Sequence, residues 1–229
     1  MVHDRQLSLE RYNRGARLHD ARQFEAAIEQ YMSALEADPT HDFVYNERSA
    51  ALMNIGKYEE ACQYAQKAYE GRPDHAASLG NFLGGLCKLQ RHAEGRKHLE
   101  EAIARGLDIM KDFPPVAKRS AAEIYYFTGA VADALPLYEA VLHSHPADQS
   151  SLLGAAWANY NILEIERALV HFKNGRREYP DCPFFCLGMA QCYNKCGLPG
   201  MVAKYRRMAL ERDPNIDLGA LEDGNNQHG

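Results

Sequence analysis

The chain has 229 residues, 46% of them hydrophobic and 25% charged, with a formal net charge of −5. That balance suits a helical protein with an ordinary core and lacks the clustered basic excess of a nucleic-acid-binding surface. No run of about 18 apolar residues is present to insert in a membrane, and the opening MVHDRQLSLER has no apolar leader segment, so the expected location is cytoplasmic.

Residues 1–7 are polar and read as a frayed lead-in, with Ser8 placed to cap a first helix that bears Tyr12, Arg14, Arg17 and His19. A second helical pattern from Phe24 to Ala37 puts Phe24, Ala27, Ile28, Tyr31 and Leu35 on one face. In the next stretch Tyr45, Ser49 and Leu52 share a helix face, and so do Tyr58, Ala61, Ala65 and Ala68. Between them Gly56 can take a positive φ and close the first of these helices, and Pro73 stops the second. Such a helix–turn–helix unit is too small to bury its apolar face alone and needs copies of itself as neighbours.

The prolines mark those copies. Pro39 to Pro73, Pro146 to Pro180 and Pro180 to Pro214 are equal steps, each a period of about 34 residues. Pro73 to Pro146 is two such periods with a short insertion. Six windows follow, at 8–41, 42–75, 76–109, 115–148, 149–182 and 183–216. The third is the weakest, since SLGNFLGGLCKL places Gly80, Gly84 and Gly85 inside one helix, where close helix packing is favoured over a ligand touching backbone. Residues 110–114 are a joint between two three-repeat halves, Pro114 and Pro115 restarting the pattern. Pro136 falls early in a second helix, at modest cost or with a bend, and the tail 217–229 reads as mobile.

With Gly15, Ala27, Tyr31, Ala34 and Pro39 in the first window, Ala61, Ala68 and Pro73 in the second, and Ala156, Ala168, Phe172 and Pro180 in the fifth, the chain resembles the tetratricopeptide (TPR) repeat family. The resemblance implies an all-α fold, a right-handed α-solenoid of six helix–turn–helix repeats, whose first helices line a concave surface where partners dock.

Catalytic chemistry has no foothold. There is no glycine-rich phosphate loop, zinc-protease, nucleophile-elbow or kinase motif, so the chain is not expected to be an enzyme or to carry a cofactor. Cys182, Cys186, Cys192 and Cys196 span about 21 Å of straight helix, too far for one tetrahedral zinc. No metal site is expected, and these thiols read as structural, with a redox or metal role left open. His143 and His145 sit where a helix ends and suit its dipole.

By resemblance, the inward positions of the C-terminal half are Arg119, Glu123, Tyr126 and Phe127, then Leu153, Trp157, Tyr160 and Asn161, then Phe184, Leu187, Gln191, Asn194 and Lys195. Their aromatics form the expected partner-binding surface. Weaker candidates are Tyr12, Asn13, Phe43, Asn46 and Asn81 in the N-terminal half. The carboxylate-clamp subclass holds acidic chaperone tails with lysines, an arginine and asparagines; the matching positions here are Tyr12, Ala16, Glu47, Ala77 and Asn81, so the chain is not expected to belong to it. The expected function is a non-catalytic protein-interaction scaffold or adaptor binding a partner peptide or helix. A chaperone holding a hydrophobic segment of a secreted or assembling client, or a regulatory subunit of a complex, stay open as alternatives.

Overall fold

The computed structural model describes residues 4–218. Among them thirteen helices follow one another with no strand. α1 (Arg5–Asp20) packs on α2 (Phe24–Ala37), α3 (Asp42–Asn54) on α4 (Tyr58–Gly71) and α5 (Ala76–Lys88) on α6 (His92–Ala104). A single turn, α7 (Ile109–Asp112), leads into α8 (Pro115–Phe127) and α9 (Val131–Ser144). Then α10 (Gln149–Asn161) packs on α11 (Ile165–Glu178) and α12 (Pro183–Lys195) on α13 (Pro199–Arg212). The chain forms two compact units, Met1–Ser120 and Ala121–Gly229. The tail expected to be mobile lies, beyond Leu218, outside the described residues.

The repeat is written into the backbone. Left-handed residues close the first helix of every pair, at Arg22 (φ 57), Gly56 (φ 77), Gln90 (φ 56), Gly129 (φ 83), Leu163 (φ 65) and Gly197 (φ 68). Successive members are one period apart, except that the step from Gln90 to Gly129 is lengthened by the insertion that holds α7. After each of them the next amide reaches back five residues, as Lys57 N does to the Leu52 carbonyl (3.0 Å) and Leu198 N to that of Tyr193 (3.0 Å). This is a Schellman closure, which satisfies carbonyls a helix end would leave bare. Arg22, Gln90 and Leu163 accept a conformation that costs an L-residue about 1 kcal/mol or more, so the turn geometry outweighs local preference.

Packing between helices depends on missing side chains. A Cβ at Gly154 would lie 2.3 Å from the Tyr138 ring, and one at Gly188 2.2 Å from the Phe172 ring. These are one contact repeated in consecutive repeats: a second-helix aromatic laid on the bare backbone of the next first helix. In the first unit a Cβ at Gly15 would meet Tyr31 at 2.6 Å, one at Gly80 would meet Ala117 Cβ at 2.4 Å, and one at Gly85 would meet Cys62 Cβ at 3.0 Å. The glycines of α5 are therefore occupied by helix packing, as the sequence favours.

One local detail differs from the sequence reading, and two others become specific in the structure. Helix α1 starts at Arg5 with Asp4 as its cap, accepting from Leu7 N (2.9 Å), while Ser8 is buried and its hydroxyl meets His41 Nδ1 at 2.8 Å. A carboxylate at the end of the lead-in competes better for the free amides than a hydroxyl one turn later. The stretch around 110–114 is ordered as α7: Asp108 accepts from Met110 N and Lys111 N, and Phe113 is 3% exposed. Helix α9 runs through Pro136 without ending, because the lost amide bond falls at an exposed residue that water reaches.

Replacing Gly188 with alanine sets a helix-propensity gain of about 1 kcal/mol against an overpacking loss of about 1–3 kcal/mol. The buried Phe172 ring has no exposed side toward which to retreat. Gly188→Ala should lower the urea midpoint, whereas Gly200→Ala in α13, with nothing within 4 Å of its added methyl, should leave it unchanged or raise it.

Candidate functional site

In the first unit, polar side chains join the first helices of successive repeats. Asn81 donates to Asn46 Oδ1 (3.0 Å), and Asn46 donates to Glu47 Oε1 (3.4 Å). Asn54 donates to His19 Nε2 (3.3 Å), which puts the imidazole proton on Nδ1, 3.8 Å from Glu47 Oε2. The pairs 19–54 and 46–81 are both 35 residues apart. Burial, and after it the Glu47 carboxylate, makes Tyr12 and Tyr31 harder to ionise than free phenols. This face is thus weakly acidic and rich in side-chain amides.

The second unit builds the same row from different chemistry. Asn161 of α10 donates to the Tyr126 hydroxyl of α8 at 3.0 Å, and the Tyr126 and Phe127 rings meet edge-to-face at 5.2 Å. Burial raises the Tyr126 pKa, and the Asn161 bond partly offsets it. One repeat on, Lys195 Nζ of α12 lies 5.9 Å from the Tyr160 ring, so the pairs 126–161 and 160–195 share one spacing. Tyr160 meets Trp157 edge-to-face at 5.5 Å, and Trp157 meets Phe172 of α11 at 5.0 Å.

The inward set proposed from sequence divides by burial. Asn161, Asn194 and Lys195 are exposed, while Glu123, Tyr126, Phe127, Leu153, Tyr160 and Phe184 are half-buried. In the first unit Asn13 and Phe43 are exposed, and Tyr12, Asn81 and Arg119 are half-buried. Four residues lie elsewhere than expected. Trp157 is 6% exposed, Leu187 1%, Gln191 2% and Asn46 8%. Leu187 shares its repeat place with Leu153, and both pack in the core cluster around Phe172 and Phe185. First helices approach so closely that these positions face a neighbour rather than solvent. The sequence reading missed His19 and Asn54, whose signal was the regular spacing of hydrogen-bonding side chains, one repeat and one residue apart.

The six thiols are all free, and among the described residues those in and beside α12 do not converge. Cys186 and Cys192 are buried, Cys182 is half-buried and Cys196 is exposed. Burial pushes the Cys192 thiol up to about 12, the neighbouring Cys196 adding to it.

The family model for the tetratricopeptide repeat matches residues 11–41 and 44–75, the helix pairs α1–α2 and α3–α4. These two helix pairs are tetratricopeptide repeats. Over 103 residues, 45% of its length, the chain is 30% identical to the STIP1 homolog of Dictyostelium discoideum, and it spans 18% of that relative. Its fold is similar to that of PilW, a widely conserved type IV pilus biogenesis factor (TM-score 0.71, 17% identity, covering 93% of this chain and 96% of that one). It is also similar to YrrB, described as a TPR protein with an unusual peptide-binding site (TM-score 0.64, 14% identity, 82% and 94% covered). Among the described residues of the chain, no helix is long and apolar enough to cross a membrane.

Two measurements follow. Native-state alkylation at pH 8 should modify Cys196 first and leave Cys186 and Cys192 intact, the thiolate being the reactive form. Stability should also be bounded on both sides of neutrality. Burial lowers His75 and His171 below 6.5, so their contribution is present above that pH and lost as pH falls through the lowered values. Burial raises Cys62, Cys186 and Cys192 above 9.0, and Tyr31, Tyr126 and Tyr160 above 10.0, so theirs is present below those values and lost as pH climbs. Urea midpoints from pH 5 to 10.5 should form a plateau between about 6.5 and 9.

Proposed function

We propose that this protein is a non-catalytic scaffold or adaptor that holds a peptide or helix of a partner protein against its first helices. The observation that carries this reading is the row of exposed amides and half-buried rings on α8, α10 and α12, where Tyr126, Tyr160, Asn161, Asn194 and Lys195 leave contact surface open at the helices' outer turns. Large amphipathic rings beside side-chain amides suit anchoring of a segment with little entropy lost on binding. The peptide-binding site described for YrrB supports the same use of the fold. In this reading the protein is cytoplasmic, takes no cofactor, metal or nucleic acid, and is not a carboxylate-clamp protein, because a pocket with Glu47 and no lysine at the matching positions would repel a tail carboxylate. The six-window division, with residues 110–114 joining two sets of three repeats, belongs to the same proposal.

The test is crosslinking capture from native lysate with the full chain, against a Tyr160→Ala, Asn194→Ala double variant. Tyr160 is half-buried and Asn194 exposed, so helicity should survive. Binding should weaken by about 2 kcal/mol, the scale of a hot-spot loss. One stoichiometric partner supports an adaptor or a regulatory subunit, and many clients with exposed apolar segments support a chaperone. Equal capture by both forms would remove this face from the proposal.

A further inference from the structure

Two buried donors on α10 and α12 lack acceptors. Trp157 is 6% exposed and Gln191 2%, yet neither the indole Nε1–H nor the Gln191 Nε2 group has a hydrogen-bond partner. They hold the same place in consecutive repeats, on helices that pack against each other. A buried N–H without an acceptor opposes folding, and native proteins keep few of them. Stacking itself does not call for donors here. The equivalent place is held by Ala16, Ala50 and Gly84 in the first unit, with no polar side-chain atom, and by the Glu123 carboxylate on α8. Phe172 accounts for the position of the indole ring, but not for its N–H.

The surroundings select the ligand. Tyr160 follows Trp157 by one turn and touches it edge-to-face; Lys195 follows Gln191 by one turn and lies over Tyr160 at 5.9 Å, near the outer limit of a cation–π contact. Lys195 is exposed and Tyr160 half-buried, so this pair lies nearer to solvent than the two buried donors. Neither α10, QSSLLGAAWANYN, nor α12, PFFCLGMAQCYNK, contains an aspartate or glutamate. Donors beneath and a single cation above, with no carboxylate on either helix, complement an acceptor-rich anionic partner.

We propose that the α10–α12 face binds an extended acidic segment of a partner protein, whose oxygens accept from Trp157 Nε1–H and Gln191 Nε2–H while one of its carboxylates pairs with Lys195. Tyr160 turns aside to admit it. The inference rests on the protein-binding function proposed above and names the chemistry of the segment held there.

Trp157 is the only tryptophan, so its emission reports on the site directly. The probes are synthetic decapeptides of alternating Glu–Ala, Lys–Ala and Gln–Ala, titrated into the full chain at low salt. The Glu–Ala peptide should shift the emission saturably, bind at least about tenfold more tightly than the other two, and weaken as salt is added. Lys195→Gln should reduce that preference. Gln191→Met keeps side-chain volume and Trp157→Phe keeps an aromatic ring while each removes its donor, so each should weaken Glu–Ala binding, read by anisotropy of a labelled peptide, about tenfold. Gln191→Met should leave the melting temperature unchanged or higher, whereas a purely structural role would lower it and leave affinity alone. Preference for Lys–Ala, no binding of Glu–Ala, or equal affinity in the donor-less variants overturns the inference. Partner capture from lysate that is lost in the Tyr160, Asn194 variant but retained in Trp157→Phe and Gln191→Met would preserve the adaptor function and reject only this assignment.

Discussion

In the second unit the first helices α10 and α12 come close enough to the preceding second helix for an aromatic ring to rest on bare backbone. Tyr138 on Gly154 and Phe172 on Gly188 are this contact in consecutive repeats of the second unit. The approach leaves room for no methyl group, and it buries rings that each carry a large share of the apolar surface removed from water. Much else depends on it. Backbones this near bring the flanking positions of adjacent first helices together, which is why Leu187 and Gln191 are enclosed although a helical projection places them outward.

The close approach also explains why the links between repeats are regular. Hydrogen bonds join side chains to partners about one repeat away throughout both units: Ser8 with His41, Asn46 with Asn81, Tyr69 with Arg105, Tyr126 with Asn161, Tyr179 with the Ala147 carbonyl. Each repeat therefore touches its neighbours and little beyond them, the condition under which stability is a sum of repeat and interface contributions. A left-handed residue at every first-helix end keeps the phase, and it does so even where arginine, glutamine or leucine stands in place of glycine. Retaining that turn without glycine shows that neighbour packing outweighs the local backbone cost.

One scaffold carries two kinds of polar face. In the first unit Glu47 gathers His19 and Asn46 around a carboxylate, over a floor of small residues. In the second the floor holds the Glu123 carboxylate on α8, an indole and a primary amide, and α10 and α12 carry no carboxylate. Residues that stacking leaves unconstrained are those free to differ between repeats, so chemistry specific to this protein concentrates there.

The periodicity of the sequence determined the helices, their pairing and the repeat step, because each follows from local apolar spacing and from where proline and glycine interrupt it. It also identified the glycines of α5 as a packing device. Tertiary structure decided how deep a residue lies. Trp157 and Asn194 occupy the same kind of inward turn in sequence, yet one is enclosed by Phe172 and Tyr160 and the other is exposed. Likewise, capping by Asp4 in place of Ser8 and the anchoring of α7 by Phe113 depended on which neighbours were at hand. Burial at these places is set by helices that lie beside them in space and elsewhere in the chain, and a helical wheel holds no term for that.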